Sequence, residues 1–472
     1  MRRSRLARRV RALTREDLAL ALYGASCLLL GGASAAGAIA NGLLQLAGIA
    51  IVAGVALTPP RDPTAQPRRV FWLLLACLLA LAAVQFVPLP PAVWGSLPGR
   101  SDILQDYRLL GVAPPWLPLT LAPDRALGSV LALIPFIATL VLTTRATGEG
   151  RAAFAWVLVA VAVCSIVVGS VQLFSGGSSR LYFYRITNHS DAVGFFANKN
   201  HLATLFLMTL PFVAALAARE EQSERKRRLR RRPLFIGCFA FILFGTVLNK
   251  SSAGLALLVP CVWASILIYR RGIGRPLPGY VAAGGAAVLA AALLFISVGP
   301  YHGRFLDKAI STNNSATRGT SISLTLKAAR DFLPLGSGIG SFRHIYTGYE
   351  NLAAVNREYI NHAHNDWAEV ALETGIPGVA LLLAFCLWLV ARGRAVWAGG
   401  KSTGSMARAG LTSVTLLLLH SLVDYPARTA AILCVAGMAV GLVATPRAVA
   451  RAQRTEPKDE QAEPESRVFV AD

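Results

Sequence analysis

Long apolar runs, separated by shorter polar stretches, cover most of this 472-residue chain. A helix needs about 20 residues to cross a membrane, and it satisfies its own backbone hydrogen bonds, which loops and open strands in lipid cannot do. We therefore predict an all-α polytopic membrane protein with about twelve transmembrane helices. The predicted spans are 18–38, 41–57, 70–87, 125–143, 152–174, 196–217, 234–249, 252–269, 280–298, 373–391, 409–423 and 429–445.

The polar stretches divide the chain into segments of different character. Two outer segments are large, and only the second, 299–372, is long enough for a small folded element. Within it, Thr320 to Phe332 alternates apolar and polar residues at helical spacing, and a glycine-rich run from Pro334 to Gly340 ends that helix. The predicted organisation is a basic cytoplasmic N-terminus at 1–17, transmembrane helices at 18–298, a large periplasmic loop with short helices and catalytic elements at 299–372, transmembrane helices at 373–445, and a disordered cytoplasmic tail at 446–472.

Composition agrees with this pattern, because 54% of the residues are hydrophobic and only 15% are charged. The net charge of +22 raises the question of an anionic partner. Arginines crowd the first 17 residues and the stretch 225–232, and both flank apolar runs, where positive charge marks the cytoplasmic side. We therefore assign the charge to topology and membrane lipids and expect no nucleic acid partner. A cleavable signal peptide ending at Ala33-Ser34-Ala35 is an alternative for the first segment, and it would leave the remaining topology unchanged.

The histidines and the cysteines are distributed differently along the sequence. All seven cysteines lie inside apolar runs, which predicts packed thiols and no disulfide framework. All seven histidines map to the predicted outer side, at His189, His201, His302, His344, His362, His364 and His420. The outer face is therefore the expected location of the chemistry.

The richest polar stretch runs from Asn361 to Gly378. Helical spacing places Asn365, Glu369 and Glu373 on one stripe, and a histidine beside carboxylates can accept a proton from a hydroxyl nucleophile. An N-terminal helix cap is the equally weighted structural alternative. Zinc binding by His362, His364 and a third histidine is disfavoured, because no His-Glu-x-x-His spacing appears.

Three further sets of polar residues lie on the same predicted face. The 299–372 loop carries cations that suit a pyrophosphate group, with Arg318 preferred because it opens the amphipathic helix. These cations are Arg304, Lys308, Arg318, Lys327, Arg330, Arg343 and Arg357. Lys199 and Asn200 stand at the outer start of the sixth span. Asp424 follows His420 by one helical turn and is placed to orient it, or to make a structural hydrogen bond.

Together these residues resemble the O-antigen ligase and polymerase superfamily of bacterial membrane glycosyltransferases. Gly194 to His201, followed by Pro211, is similar to the family's Gly-Phe-x-Asn-x-Asn-His element. Arg318 with the run from Gly336 to Phe342 resembles its arginine helix and Gly-x-Gly-x-x-Phe element. His364-Asn365, followed by Glu373-x-Gly375-x-x-Gly378, resembles its most specific signature.

The resemblance implies an inverting transfer, independent of metal and nucleotide sugar, that needs no cofactor. The donor would be an undecaprenyl-pyrophosphate-linked glycan at the periplasmic face of the bacterial inner membrane, with both chain termini in the cytoplasm. The acceptor would be lipid A–core in a lipopolysaccharide ligase, or a growing glycan in an exopolysaccharide polymerase. By analogy His364 activates the acceptor hydroxyl and Arg318 holds the departing pyrophosphate. The predicted substrate-binding residues are Lys199, Asn200, Arg343, Asn365, Glu373, His420 and Asp424.

One departure from the family pattern bears on the choice between ligase and polymerase. Many relatives carry Ser-Arg-Gly/Ala where this chain reads Lys250-Ser251-Ser252-Ala253-Gly254. Lys250 would supply a point charge rather than a guanidinium fork. Both acceptors therefore stay open. A transporter or flippase of lipid-linked glycans is the alternative from another class, although the sequence shows no internal repeat and no cluster of mid-span charges.

Overall fold

The computed structural model describes residues 13–34, 37–60, 67, 69–221, 223, 225–275, 318–350, 360–398 and 404–445. The predicted span 280–298, the loop cations Arg304, Lys308 and Arg357, His302 and the predicted tail lie outside these residues. The described part is almost entirely helical. Its helices are α1 (Arg15–Leu30), α2 (Ala38–Ala56), α3 (Arg69–Val84), α4 (Pro91–Gly95), α5 (Ser101–Leu109), α6 (Pro123–Leu131), α7 (Ile134–Arg145), α8 (Gly148–Phe174), α9 (Lys199–Glu220), α10 (Arg225–Asn249), α11 (Ser252–Gly272), α12 (Arg318–Asp331), α13 (Phe342–Thr347), α14 (Asp366–Ala398), α15 (Ser405–His420) and α16 (Ala430–Ala444).

The membrane character predicted from the sequence is confirmed. Within the described residues, seven helical segments are long and apolar enough to cross a membrane, namely α2, the α6–α7 pair, α8, α9, α10, α11 and α14. The helices at four other predicted spans, α1, α3, α15 and α16, have only 15 or 16 residues. These are shorter than the length that a straight crossing needs. The total of about twelve spans and the periplasmic position of the large loop stay predictions.

The first helix is shorter in the structure than the predicted span 18–38. Helix α1 ends at Leu30, eight residues before the expected boundary, with Gly31 as its C-terminal cap. The Gly31 carbonyl accepts a hydrogen bond from the Ala431 N–H, and the Gly32 carbonyl accepts one from the Ala197 N–H. The helix stops there because this backbone is used for contacts with other parts of the fold.

Helices α9 and α16 form the centre of the molecule. Every residue of α16 is buried, and 18 of the 22 residues of α9 are buried. Helix α9 packs against α10, α11 and α15, while α16 packs against α7, α15 and α1. A helix that is apolar all round is buried by its neighbours, which explains why these two show no amphipathic pattern. Residues at the ends of α9 are therefore held by a rigid core.

All seven cysteines are free, as their positions in apolar runs predicted. Cys27, Cys261 and Cys434 are buried among helices. Cys77 and Cys164 are exposed on the helix surface, so packing in the helix core accounts for only part of the set.

A glycine-rich turn is interlocked with a break in α14. The helix changes direction at Gly375, whose φ of 57° and ψ of −146° are not helical. The Gly338 N–H donates to the Glu373 carbonyl at 2.9 Å, and the Ile376 N–H donates to the Pro334 carbonyl at 2.8 Å. A Cβ atom on Gly375 would lie 2.1 Å from the Pro334 oxygen. The glycine-rich run that was predicted to end α12 at Pro334 therefore also contacts the backbone at the α14 kink.

The first outer segment packs on this same turn. A short antiparallel pair, β1 (Pro88–Leu89) with β2 (Leu117–Pro118), closes the segment. Thr120 Oγ1 donates to the Ile339 carbonyl at 2.9 Å, which attaches the segment to the glycine-rich turn. The buried guanidinium of Arg100 lies between the rings of Trp94 and Phe332, and burial lowers its pKa to about 10. Two segments that are far apart in the sequence thus pack together as one unit.

Replacing Gly375 by alanine tests the interlock. The backbone region of Gly375 is nearly restricted to glycine and costs other residues about 1–3 kcal/mol, to which the clash with Pro334 adds. We expect the Gly375→Ala protein to show a lower unfolding midpoint in detergent. Gly42→Ala in α2 is the matched control, because a Cβ there meets nothing within 4 Å. Equal midpoints for the two variants would contradict the interlock.

Candidate active site

The turn before α14 is fixed by its own side chains and by the chain that follows α15. Asn365 Oδ1 accepts a hydrogen bond from the Ala368 N–H at 3.0 Å, so the asparagine caps the helix as the structural alternative predicted. Its Nδ2 also donates to the Leu422 carbonyl at 2.8 Å. Trp367 Nε1 donates to the Leu418 carbonyl at 3.1 Å. The cap thus holds the turn against the end of α15.

His364 lies in this turn beside a buried carboxylate. Its Nδ1 is 3.4 Å from Oδ1 of Asp424, whose side chain is wholly buried, while 23% of the His364 side chain is exposed. When Nδ1–H faces a carboxylate, Nε2 is the nitrogen that can accept a proton. His364 also has a φ of 53°, an uncommon backbone conformation for a residue other than glycine. This pair has the chemistry of an oriented general base.

A buried ion cluster lies behind His364, and sequence reasoning missed its central residue. Arg428, in the 3₁₀ turn Pro426–Arg428, binds Asp366 at 3.3 Å and Glu369 at 3.1 Å. Glu369 also accepts from the Ala363 N–H at 3.1 Å and lies 2.9 Å from Nδ1 of His362. An arginine in the short segment between two apolar helices is energetically costly unless it has a partner. This cost was the sequence signal that could have drawn attention to Arg428.

The cluster keeps Arg428 charged. Burial by itself would lower the pKa of Arg428, but the carboxylates of Glu369, Glu373 and Asp366 outweigh it, and the pKa is raised above its usual value. Asp366 is further fixed by Ser421, whose Oγ donates to Oδ2 at 2.8 Å. The guanidinium therefore bridges α14 and the turn after α15 as a permanent cation.

The three residues of the predicted stripe, Asn365, Glu369 and Glu373, have different roles in the structure. Asn365 caps α14 and Glu369 belongs to the ion cluster, as described above. Glu373 is buried, and its Oε1 accepts from the Phe342 N–H at 3.2 Å, at the start of α13. All three side chains have partners within the protein, and the predicted contact of Asn365 and Glu373 with substrate stays a prediction.

Rings from three segments meet at Tyr425. The ring centroids of His201, His362 and His364 lie 5.2, 4.6 and 5.0 Å from that of Tyr425. His420, which we expected beside Asp424, has its Nδ1 2.9 Å from Thr204 Oγ1 in α9. The N-terminal end of α9, the turn at 360–365 and the turn at 421–425 therefore lie together, and the outer position of these histidines stays a prediction.

Lys199 and Asn200 begin α9 beside this site. Lys199 Nζ forms an ion pair with Asp191 at 2.9 Å. Asn200 is buried, and its Oδ1 accepts from Ser251 Oγ at 2.8 Å. Lys250, which precedes Ser251, is exposed and has a φ of 56°. The structure thus brings the element that departs from the family pattern against the start of α9.

Four of the predicted loop cations lie in the described residues. Arg318 is the first residue of α12, which also carries Lys327 and Arg330, and Arg343 is half-buried in α13. Helix α12 packs along α14. Among the described residues, no group of three or more His, Cys, Asp and Glu side chains is arranged to hold a metal ion.

Several apolar helices of membrane-crossing length, with polar side chains buried at one end, define a multi-pass membrane protein. Residues 237–383 match the family model described as O-antigen ligase. The match confirms the resemblance to the O-antigen ligase superfamily, whose members are membrane glycosyltransferases. It covers His364 and Glu373, while Asp424 and Arg428 lie beyond it. No curated protein is detectably similar to the chain.

Substitution of Arg428 tests the ion cluster. Arg428→Leu leaves Asp366 and Glu369 as buried carboxylates without their cation, which costs about 3–5 kcal/mol in comparable sites. We expect a large fall in the unfolding midpoint and loss of folded protein in membranes. Arg232→Leu is the control, because Arg232 forms an exposed ion pair with Glu221. A midpoint for Arg428→Leu within the error of that control would contradict the cluster's role.

Proposed function

We propose that this protein transfers a glycan from an undecaprenyl-pyrophosphate carrier to an acceptor hydroxyl at the periplasmic face of the inner membrane. The observation that supports it best is the His364–Asp424 pair, whose histidine lies within the segment that matches the family model. The acceptor is lipid A–core or a second carrier-linked glycan.

His364 acts on the acceptor. Its Nε2 takes the proton of the acceptor hydroxyl as that oxygen bonds to the anomeric carbon of the donor sugar. The bond between this carbon and the pyrophosphate oxygen breaks, and its electron pair leaves with the pyrophosphate. Attack from the face opposite the leaving group inverts the anomeric centre. Asp424 stabilises the imidazolium that forms on His364.

Arg318 acts on the leaving group. It stands at the N-terminus of α12, where free N–H groups and the helix dipole favour an anion. A guanidinium at this end adds a fork that matches phosphate oxygens. Stabilising the charge that develops on a leaving group is usually a large catalytic contribution.

A groove beside the site suits the lipid part of the donor. Its volume is about 240 Å³, and it lies between α12 and both halves of the kinked helix α14. Apolar side chains line it except at Asn365, the neighbour of His364. The lining residues are Leu326, Asn365, Trp367, Ala368, Ala371, Val379, Leu382 and Leu383. A polyprenyl chain in this groove would bring its pyrophosphate to the site.

The orientation in the membrane follows from α9. Its first residues form the site, and at its other end Glu220 and Glu221 pair with arginines of the stretch 225–232. A helix of 22 residues is about 33 Å long, close to the thickness of a bilayer core. Because the basic stretch belongs in the cytoplasm, the site faces the periplasm.

Substitutions at the two proposed catalytic residues test the mechanism. We expect His364→Ala and Arg318→Ala each to lower glycan transfer at least 100-fold, because one removes the base and the other the leaving-group cation. Transfer is measured with the full chain in membranes, with donor lipid extracted from its host. The controls are His344→Ala, an exposed histidine of α13, and Arg108→Ala, an exposed arginine of α5. Full activity of either catalytic variant at normal protein level would refute the mechanism.

The groove is tested by filling it. Leu383→Trp adds bulk at its lining, and we expect a several-fold higher KM for the lipid-linked donor with a smaller change in kcat. Leu387→Trp, one turn farther along α14 and also exposed, is the matched control. Identical KM values for the two variants would exclude this groove as the lipid site.

A further inference from the structure

His201 is the unusual histidine of the site. Its side chain is only 2% exposed, at the outer end of α9, the most enclosed of the membrane-length helices. Neither Nδ1 nor Nε2 has a hydrogen-bond partner among the described residues. A neutral imidazole offers one donor and one acceptor, so both of its polar functions are unused.

The neighbouring histidines differ from it. His362 lies against Glu369, His364 against Asp424, and His420 against Thr204. Their contacts fix each ring within the fold. Among the described residues, the ring of His201 makes an edge-to-face contact with Tyr425 but no hydrogen bond.

A structural role explains this arrangement poorly. A buried donor or acceptor without a partner loses its hydrogen bonds to water and gains none in the protein, whereas an apolar ring of similar shape carries no such penalty. Buried polar groups in native proteins are nearly always paired, and exceptions call for a specific explanation. The ring position next to Tyr425, which also packs on His364, supplies that explanation.

We propose that the His201 imidazole is a hydroxyl-binding group of the site, which orients the acceptor side of the reaction next to His364. This inference rests on the proposed function. A hydroxyl group both donates and accepts, which matches the two unused functions of a neutral imidazole. The hydroxyl belongs either to a sugar of the bound substrate or to an ordered water that relays the contact.

The test compares an apolar and a polar replacement in the full-length chain, reconstituted in vesicles with donor lipid extracted from the host. His201→Phe keeps a ring against Tyr425 and removes both polar functions. We expect an unfolding midpoint equal to or above that of the unchanged protein, with transfer lowered at least tenfold. His201→Asn retains a donor and an acceptor, and we expect it to keep part of the activity.

His189→Phe is the matched control, because His189 packs on Tyr182 but is exposed and lies outside the site. A raised KM for the acceptor in His201→Phe indicates a sugar hydroxyl, and a lowered kcat at constant KM indicates an ordered water. Transfer within twofold of the unchanged protein by His201→Phe overturns the proposal. If His201→Phe fails to insert, His201→Leu, which also removes both polar functions, is measured in its place with the same criterion.

His364→Ala is measured in the same assay. Full transfer by His364→Ala would remove the proposed function itself. An inactive His364→Ala beside fully active His201 variants would remove only the hydroxyl-binding role.

Discussion

The site depends on the burial of two carboxylates around one guanidinium. Asp366 and Glu369 begin α14, and Arg428 reaches them from the turn between α15 and α16. Taking such charges out of water costs several kcal/mol per ion, which only close pairing and further hydrogen bonds offset. Because the pairing tolerates little displacement, the turn that carries His364 and the turn that carries Asp424 and Tyr425 must keep one relative position.

The ion pairs at the other end of α9 illustrate the contrast. There Glu220 and Glu221 meet several arginines whose side chains are about one-third to one-half exposed. Water screens these pairs, so they add little to stability. Ion pairs of the same residue types therefore contribute little at one end of α9 and fix two turns at the other, and the difference is their burial.

Much of this could be predicted from the sequence, because it depends on local patterns. Apolar runs gave the helices, the Pro334 to Gly340 run ended α12, and the cap at Asn365 followed from residue type. Arg428 escaped prediction because its partners are more than 50 residues away, and the cost of an arginine between apolar helices does not indicate which residues pair with it. The pairing of Asp424 was predicted with His420, one turn away, whereas the fold also places Asp424 beside His364. Contacts between residues of distant helices produce no characteristic spacing in the sequence, so these contacts could not be predicted from it.

The backbone of His364 connects these points. A non-glycine residue at a φ of 53° is disfavoured by about 1–3 kcal/mol, and it persists only where its surroundings determine it fully. Here they do so through Ala363, whose N–H binds Glu369, and through Asn365, which is tied to Leu422. Contacts with the buried ion cluster therefore help to offset the free-energy cost of the His364 backbone conformation. A histidine held in this way would lose little further freedom on meeting a substrate, which is what the proposed general base requires.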